Sequence, residues 1–426
     1  MPFPEDFLHY LWKFRLFNQS ALLTIGGEEL KILNVGRHNK NAGPDFENAQ
    51  IRIGDTLWAG SVEIHINSSD WQKHHHDRDA AYENVILHVV YHHDQDQFRR
   101  DGSQIPVLEL KELIPEGLST RYQELMLNMN WIACQAKIAT VDPLHTSNWL
   151  SRVLVERLEE KSKAVQSLLE EFKGSWDDAF YVILARNFGF KLNAVPFEML
   201  ARSLSRQILD RHKSNPLQIE ALIFGQAGFL HDTFVEQYPN QLRSEYVFLK
   251  NKYELEPLDR YLWKFLRSRP QNFPTVRLAQ FAALINRSSR LFSKVLEARD
   301  SGVLMELFSN LPVHPYWTDH YRFGVTSKPY PHQMGTTSVQ NILINTVALF
   351  LFMYGRNMGR NSFVNKAVHL LESLPLEHNQ VIERFKETGI EMKGAFSSQA
   401  LLQLKKAYCD EKQCLNCGIG TKLLSL

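Results

Sequence analysis

Apolar and polar residues alternate in the first quarter of the chain, and a longer spacing replaces this alternation after about residue 113. Residues 48–53 and 57–67 place apolar side chains at every second position, which predicts two neighbouring β-strands. The run from Val85 to Tyr91 is apolar except for His88 and predicts a central strand, and residues 106–110 predict a further one. Helices are predicted at residues 5–17 and, behind a serine-rich N-cap, from Asp70 to Tyr82.

Beyond this region the spacing is helical. Apolar residues recur every three or four positions from Leu150 to Phe172, and prolines punctuate a series of later helix candidates. We therefore predict an α+β protein. Residues 1–135 form a domain with a mixed sheet flanked by helices, and residues 136–426 form a mostly α-helical domain that ends in a cysteine-containing tail.

Composition narrows the class of protein. A net charge of +1 over 426 residues gives no global basic field, so a nucleic-acid surface would have to be a local patch. The longest apolar candidate, Ile342–Met353, is shorter than the roughly 18–20 residues that a membrane span requires. The acidic and aromatic N-terminus does not resemble a signal peptide. We expect a cytoplasmic protein without a membrane partner, and the oligomeric state stays open.

Two acids on neighbouring strands are the first candidate for chemistry. Asp45 follows a Gly-Pro turn, and Glu63 and His65 lie two apart on the next strand, so they point the same way. Oxygen ligands of this kind suit Mg²⁺ or Mn²⁺, with a polar neighbour to orient a water molecule. In a regular strand, Asp45 would point to the same face as apolar Ile51, because the two are an even number of residues apart. A turn or bulge must therefore rotate Asp45 if it is to face Glu63.

Seven of the 17 histidines fall between His65 and His93. His74 and His76 are possible additional ligands above the acids, or they belong to a solvated helix face, where only some of them could reach one site. His88, inside an apolar strand, is either a buried core histidine or a ligand. His65, His88 and one helix histidine could alternatively join Glu63 in a zinc site.

The four cysteines suggest a second metal centre. Cys409, Cys414 and Cys417 follow a C-x4-C-x2-C spacing, and a thiolate centre needs a fourth ligand, which Cys134 can supply. Zinc and a [4Fe–4S] cluster both fit these ligands, and reduced buried cysteines are the alternative. A separate arginine-rich stretch includes Arg269 and Arg277, which either contact phosphates of DNA or RNA or support a helix face.

Pro44-Asp45 and Glu63-Ile64-His65, in their order of predicted elements, resemble the PD-(D/E)xK nuclease superfamily. The resemblance implies a nuclease-like sheet domain in which Asp45 and Glu63 hold a metal ion, Glu5 or Asp6 is a possible extra acid, and His65 takes the place of the usual lysine. The cysteines are similar to the iron–sulfur centre of some of these nucleases. The resemblance to the nuclease superfamily implies a phosphodiesterase that acts on DNA or RNA. Because the usual lysine is missing, a non-catalytic module that binds nucleic acid or protein stays open as an alternative. A zinc-dependent hydrolase that uses the histidines is the third hypothesis.

Over essentially its full length, the chain also resembles an uncharacterised bacterial domain-of-unknown-function family, numbered 2851. The segments that carry this likeness include WAGSVEIH, YENVILHVV and CLNCGIG. It implies a bacterial cytoplasmic protein and no particular activity.

Overall fold

The computed structural model describes residues 4–39, 41–266, 269–288 and 290–425. It divides into two compact units. The sheet unit comprises residues 1–149, 384–391 and 404–426, and the helical unit comprises residues 150–383 and 392–403.

The sheet unit is built on six strands. Their bounds are β1 Leu30–Asn34, β2 Arg37–His38, β3 Phe46–Ile53, β4 Thr56–Asn67, β5 Val85–His92 and β6 Val107–Glu109. The strands are arranged in the order β1-β3-β4-β5-β6, with β2 paired to β3. Strands β1, β3 and β4 pair antiparallel, whereas β5 and β6 continue the sheet in parallel. The predicted mixed sheet with flanking helices is therefore confirmed.

Helices cover this sheet because one face of each strand is apolar. The helices of this unit are α1 Glu5–Phe14, α2 Asp70–Lys73 and α3 Leu118–Leu127, and α18 Gly418–Ser425 follows a Lys405–Cys409 π-helical turn. Phe7 and Leu11 of α1 share a core with Val62 and Ile64 of β4, and this core also includes Leu424. The C-terminal segment thus packs with the sheet, although the predicted boundary at residue 135 places it in the helical domain.

The helical unit contains the remaining elements. Its helices are α4 Pro143–Glu171, α5 Trp176–Phe188, α6 Phe190–Ser203, α7 Arg206–Arg211, α8 Pro216–Gln226, α9 Gln237–Tyr253, α10 Pro274–Arg287, α11 Leu291–Glu297, α12 Ser301–Phe308, α13 Thr336–Ile342, α14 Ala348–Asn357, α15 Asn361–Ser373, α16 Gln380–Glu387 and α17 Gly394–Leu404. The first residues of α4 and the last residues of α16 belong to the sheet unit. A two-stranded ribbon joins β7 His320–Arg322 to β8 Val325–Thr326. In the core of the helical unit, Phe180, Phe281 and Phe350 are among the most deeply buried side chains.

One helix of this unit has an apolar composition that also suits a membrane span. A π-helical turn at Leu343–Val347 joins α13 to α14, so that Thr336–Asn357 forms one 22-residue helix. Within it, 67% of the most apolar window is buried inside the protein, as in the core helix of a soluble protein.

Candidate metal centre

A β-bulge sets the direction of Asp45, which lies immediately before β3. The pairing of β3 with β4 shifts between Phe46 and Ala49, and Asn48 between them has a φ of 60°. A bulge adds one residue to one strand and therefore reverses which face the following side chains occupy. This is the rotation that the alternation of the sequence requires for Asp45 to face Glu63.

Asp45 and Glu63 are joined by reciprocal hydrogen bonds. The backbone N–H of Asp45 donates to Glu63 Oε2 over 3.1 Å, and the backbone N–H of Ile64 donates to Asp45 Oδ2 over 2.9 Å. Glu63 is only 4% exposed, so it does not lie on a solvated strand face. Burial and the neighbouring charge of Asp45 raise the pKa of the Glu63 carboxyl well above its ordinary value.

The histidine run does not continue the helix that begins at Asp70. Helix α2 ends at Lys73, and His75 has a left-handed φ of 63°, so the predicted helix to Tyr82 is wrong. Because the chain turns at His75, His74 and His76 reach the same place. His74 Nδ1 lies 3.1 Å from His65 Nε2, and His76 Nε2 lies 3.1 Å from Glu63 Oε1.

The three imidazoles of His65, His74 and His76 form a group that could hold a metal ion. One nitrogen from each lies within 4.8 Å of the other two, and Glu63 Oε1 is 3.5 Å from His65 Nε2. Burial, followed by the nearby histidines, lowers the pKa of His65 to about 2. An imidazole that stays neutral at every ordinary pH is a poor proton acceptor but is ready to bind a metal.

His88 lies behind this group rather than in it. Its Nε2 is 2.9 Å from Nδ1 of His65, the nitrogen that faces away from His74. His88 is fully buried, and burial lowers its pKa to about 3, so the contact joins two neutral rings. Such a bond fixes the orientation and tautomer of a ligand histidine, which gives His88 a positioning role.

Aromatic rings close the other side of the site. His76 stacks on Tyr82 with ring centroids 3.8 Å apart, and Trp71 meets His76 edge-on at 5.4 Å. Burial, with the charges of Glu63 and Asp45, raises the pKa of Tyr82 to about 12, so its hydroxyl keeps its proton. The aromatic contacts hold His76 in place and keep the local dielectric low.

Helix α1 contributes two side chains to the site. His9 Nε2 lies 3.2 Å from Asp45 Oδ2, yet this buried nitrogen makes no hydrogen bond of good geometry. Burial, followed by the charge of Asp45, raises the pKa of Glu5 to about 7. Glu5 was one of two acids that the sequence offered for this site, whereas His9 was not predicted to belong to it. Their i, i+4 spacing on an amphipathic helix is the signal that would have paired them.

Glu5 gives the metal-free protein a distinctive pH dependence. Because its folded-state pKa exceeds its ordinary value, its contribution to stability is complete below about pH 4.5 and is lost as the pH rises through about 7. The lowered pKa values of His65 and His88 have the opposite effect, because their contribution to stability falls as the pH drops below about 6.5. Comparing the wild type with a Glu5 variant cancels this effect, because both proteins contain the two histidines. We expect Glu5→Gln to gain stability relative to the wild type between pH 5 and pH 8. Urea unfolding of both proteins in the presence of a chelator measures this, and a constant difference would contradict it.

A cavity of about 240 Å³ opens beside His9 within the sheet unit. Its wall includes Lys13 of α1, His38 and, from the loop between two of the cysteines, Lys412. Lys412 Nζ donates to the carbonyl of Met126 over 2.8 Å, which anchors this loop to α3. The cavity reaches His9, but Asp45 and Glu63 do not line it.

The four cysteines all lie in the sheet unit, and none forms a disulfide. Burial, followed by Cys417 and Cys414, raises the pKa of the Cys134 thiol to about 12. Burial and the other three cysteines likewise raise the pKa of Cys409. Each thiol is thus close enough to others of the four to affect its pKa. Among the described residues, the only group of ligand atoms close enough to hold a metal ion is that of His65, His74 and His76, so a metal at the cysteines stays a prediction.

The two arginines proposed to bind nucleic acid lie in the helical unit. Arg277 is 4% exposed, donates to Gln280, Asn272 and Ser338, and stacks over Phe190 at 4.6 Å. These contacts use its guanidinium to hold helices together, which is the structural alternative foreseen from the sequence. Arg269 is exposed.

The family model described as "Protein of unknown function (DUF2851)" matches residues 5–380 of the chain. No curated protein and no solved structure matches it. The resemblance to this family is confirmed over those residues, and the resemblance to PD-(D/E)xK nucleases stays a prediction.

Proposed function

We propose that this chain, which belongs to the DUF2851 family, is a metal-dependent hydrolase that cleaves phosphodiester bonds in nucleic acid. The family description assigns no activity, so the proposal rests on the site. The observation that carries it is the pair of backbone hydrogen bonds that links the Asp45 and Glu63 segments, with Glu63 Oε1 3.1 Å from His76 Nε2. His76 belongs to a group of three imidazoles, each with one nitrogen within 4.8 Å of the others.

The donor atoms fit a divalent cation. Carboxylate oxygens suit Mg²⁺ or Mn²⁺, and imidazoles suit Mn²⁺ or Zn²⁺, so the mixed set favours Mn²⁺ or Zn²⁺ over Mg²⁺. Asp45, Glu63, His65, His74 and His76 would hold the metal, and the unsatisfied Nε2 of His9 adds a further donor. A cation bound there would polarise the phosphoryl group and neutralise charge that develops during cleavage.

Glu5 is the proposed proton acceptor of the site. Its carboxyl lies near Asp45 and Glu63 without being one of the proposed ligands, whereas His65, with a pKa lowered to about 2, is a poor proton acceptor. The role of the lysine that His65 replaces therefore passes to Glu5, and His65 becomes a ligand held by His88. Trp71 and Tyr82 shield His76, whereas His74 is exposed to solvent.

Cleavage assays with the full chain test this function. Labelled single-stranded DNA, double-stranded DNA and RNA are incubated with Mn²⁺, Mg²⁺ or Zn²⁺. We expect Asp45→Asn to lower the rate by more than the roughly 10–100-fold that loss of an outer-shell metal partner costs. Asp55→Asn, at the exposed turn between β3 and β4, is the matched control and should cleave like the wild type.

The outcomes separate the alternatives. Equal cleavage by the wild type and Asp45→Asn would remove this site from the reaction. Metal binding without cleavage of any nucleic acid would favour the non-catalytic binding module. The three imidazoles favour a zinc-dependent hydrolase as the second candidate, and Zn²⁺-dependent cleavage of ester or amide substrates, with nucleic acid left intact, would select it.

A further inference from the structure

Glu63 occupies an unusual place, because its two oxygen atoms face different partners. Oε1 lies 3.1 Å from His76 Nε2 and 3.5 Å from His65 Nε2, whereas Oε2 accepts the backbone N–H of Asp45. The carboxylate therefore stands between a group of imidazoles and a group of acids. One carboxylate that faces two donor sets is the usual bridge of a two-metal hydrolase.

We infer that Glu63 bridges two divalent cations, one held by His65, His74 and His76 and the other by Asp45 and His9. This inference rests on the proposed function and adds the number of metal ions and the division of ligands between them.

The distances on the imidazole side fit a single ion. Ligand atoms at 2.0–2.2 Å from a tetrahedral metal lie about 3.4 Å from one another. His65 Nε2 is 3.1 Å from His74 Nδ1 and 3.5 Å from Glu63 Oε1, close to this separation. His88 holds the opposite nitrogen of His65, which directs Nε2 towards the site.

The side of Glu63 that faces Asp45 has its own possible metal ligands and concentrates negative charge. His9 Nε2 and Asp45 Oδ2 are 3.2 Å apart, again the separation of two ligands on one ion. Asp45 and Glu63 here share one small, largely buried space with Glu5. A second cation would offset the negative charge of these three acids.

Counting bound Mn²⁺ and recording its electron paramagnetic resonance test the inference without an activity assay. Mn²⁺ is chosen because the thiolates of the cysteines are poor ligands for it. The full chain is stripped with a chelator, reloaded and desalted. We expect two ions per wild-type chain and a spectrum of two magnetically coupled ions.

Variants of the proposed ligands show which side chains hold each ion. His74→Ala/His76→Ala and His9→Gln should each retain one ion with an uncoupled six-line spectrum. His75→Asn, which changes the histidine of this run that is not a proposed ligand and suits its left-handed φ, should retain two coupled ions. Circular dichroism verifies that each variant is folded.

One ion per wild-type chain, two uncoupled ions, or no bound ion would each overturn the inference. A single ion together with nucleic-acid cleavage would overturn the bridge alone and leave the proposed function standing. Two coupled ions without cleavage would support the bridge and overturn the proposed function.

Discussion

Replacing Glu63 by glutamine is expected to abolish metal binding at the site while leaving the metal-free protein at least as stable as the wild type. Burial already favours the neutral form of this carboxyl, and glutamine supplies a neutral group of the same shape. Its amide oxygen can still accept the N–H of Asp45. Cleavage should fall by on the order of 100-fold or more, because the substitution removes a direct ligand and not an outer-shell partner.

Thermal unfolding with and without Mn²⁺ measures both parts of this result. The wild type should gain stability when Mn²⁺ is added, because the ion binds only the folded chain, whereas Glu63→Gln should not. Glu109→Gln on β6, two strands away from β4 in the same sheet, is the control and should respond like the wild type. A clear loss of stability in metal-free Glu63→Gln would mean that Glu63 is charged and structural, and that the site has been misread.

The second large effect is expected from Cys417→Ser. Burial raises the pKa of the Cys417 thiol, and the backbone N–H groups of Gly420 and Ile419 beside this sulfur act in the opposite direction. Donors arranged in this way stabilise a metal-bound thiolate. If the four cysteines share a metal, losing one ligand removes a link between Cys134 and the C-terminal segment. A cost of about 4 kcal/mol, as for loss of a structural metal, lowers the melting temperature by ~10 °C.

Metal analysis and a visible spectrum of the purified protein accompany this measurement. A brown protein with iron indicates a [4Fe–4S] cluster, and a colourless protein with zinc indicates a zinc site. Lys422→Ala, in helix α18 directly after Cys417, should keep the metal and the melting temperature. A metal-free wild type that melts at the same temperature as Cys417→Ser would show that the cysteines are only buried thiols.

The elements that carry the site were largely predictable, because each is defined by a short local pattern. Alternation located β3 and β4, and it also showed that Asp45 needed a bulge to face Glu63. The helix from Asp70 to Tyr82 failed because nothing in the run His74-His75-His76 distinguishes a helical turn from a left-handed residue. That one backbone conformation decides whether two histidines reach His65 or only one does.

What the sequence determined by itself was the set of strands, the helical texture of the later chain, and the presence of acids, imidazoles and thiols of the right chemistry. These features follow from neighbours within a few residues. Only the tertiary structure decided that His9 and Glu5 of the first helix meet Asp45, that His88 supports His65 instead of joining the ligands, and that the tail packs with the sheet. Such meetings depend on how buried faces of distant segments fit together, and no local spacing encodes that fit.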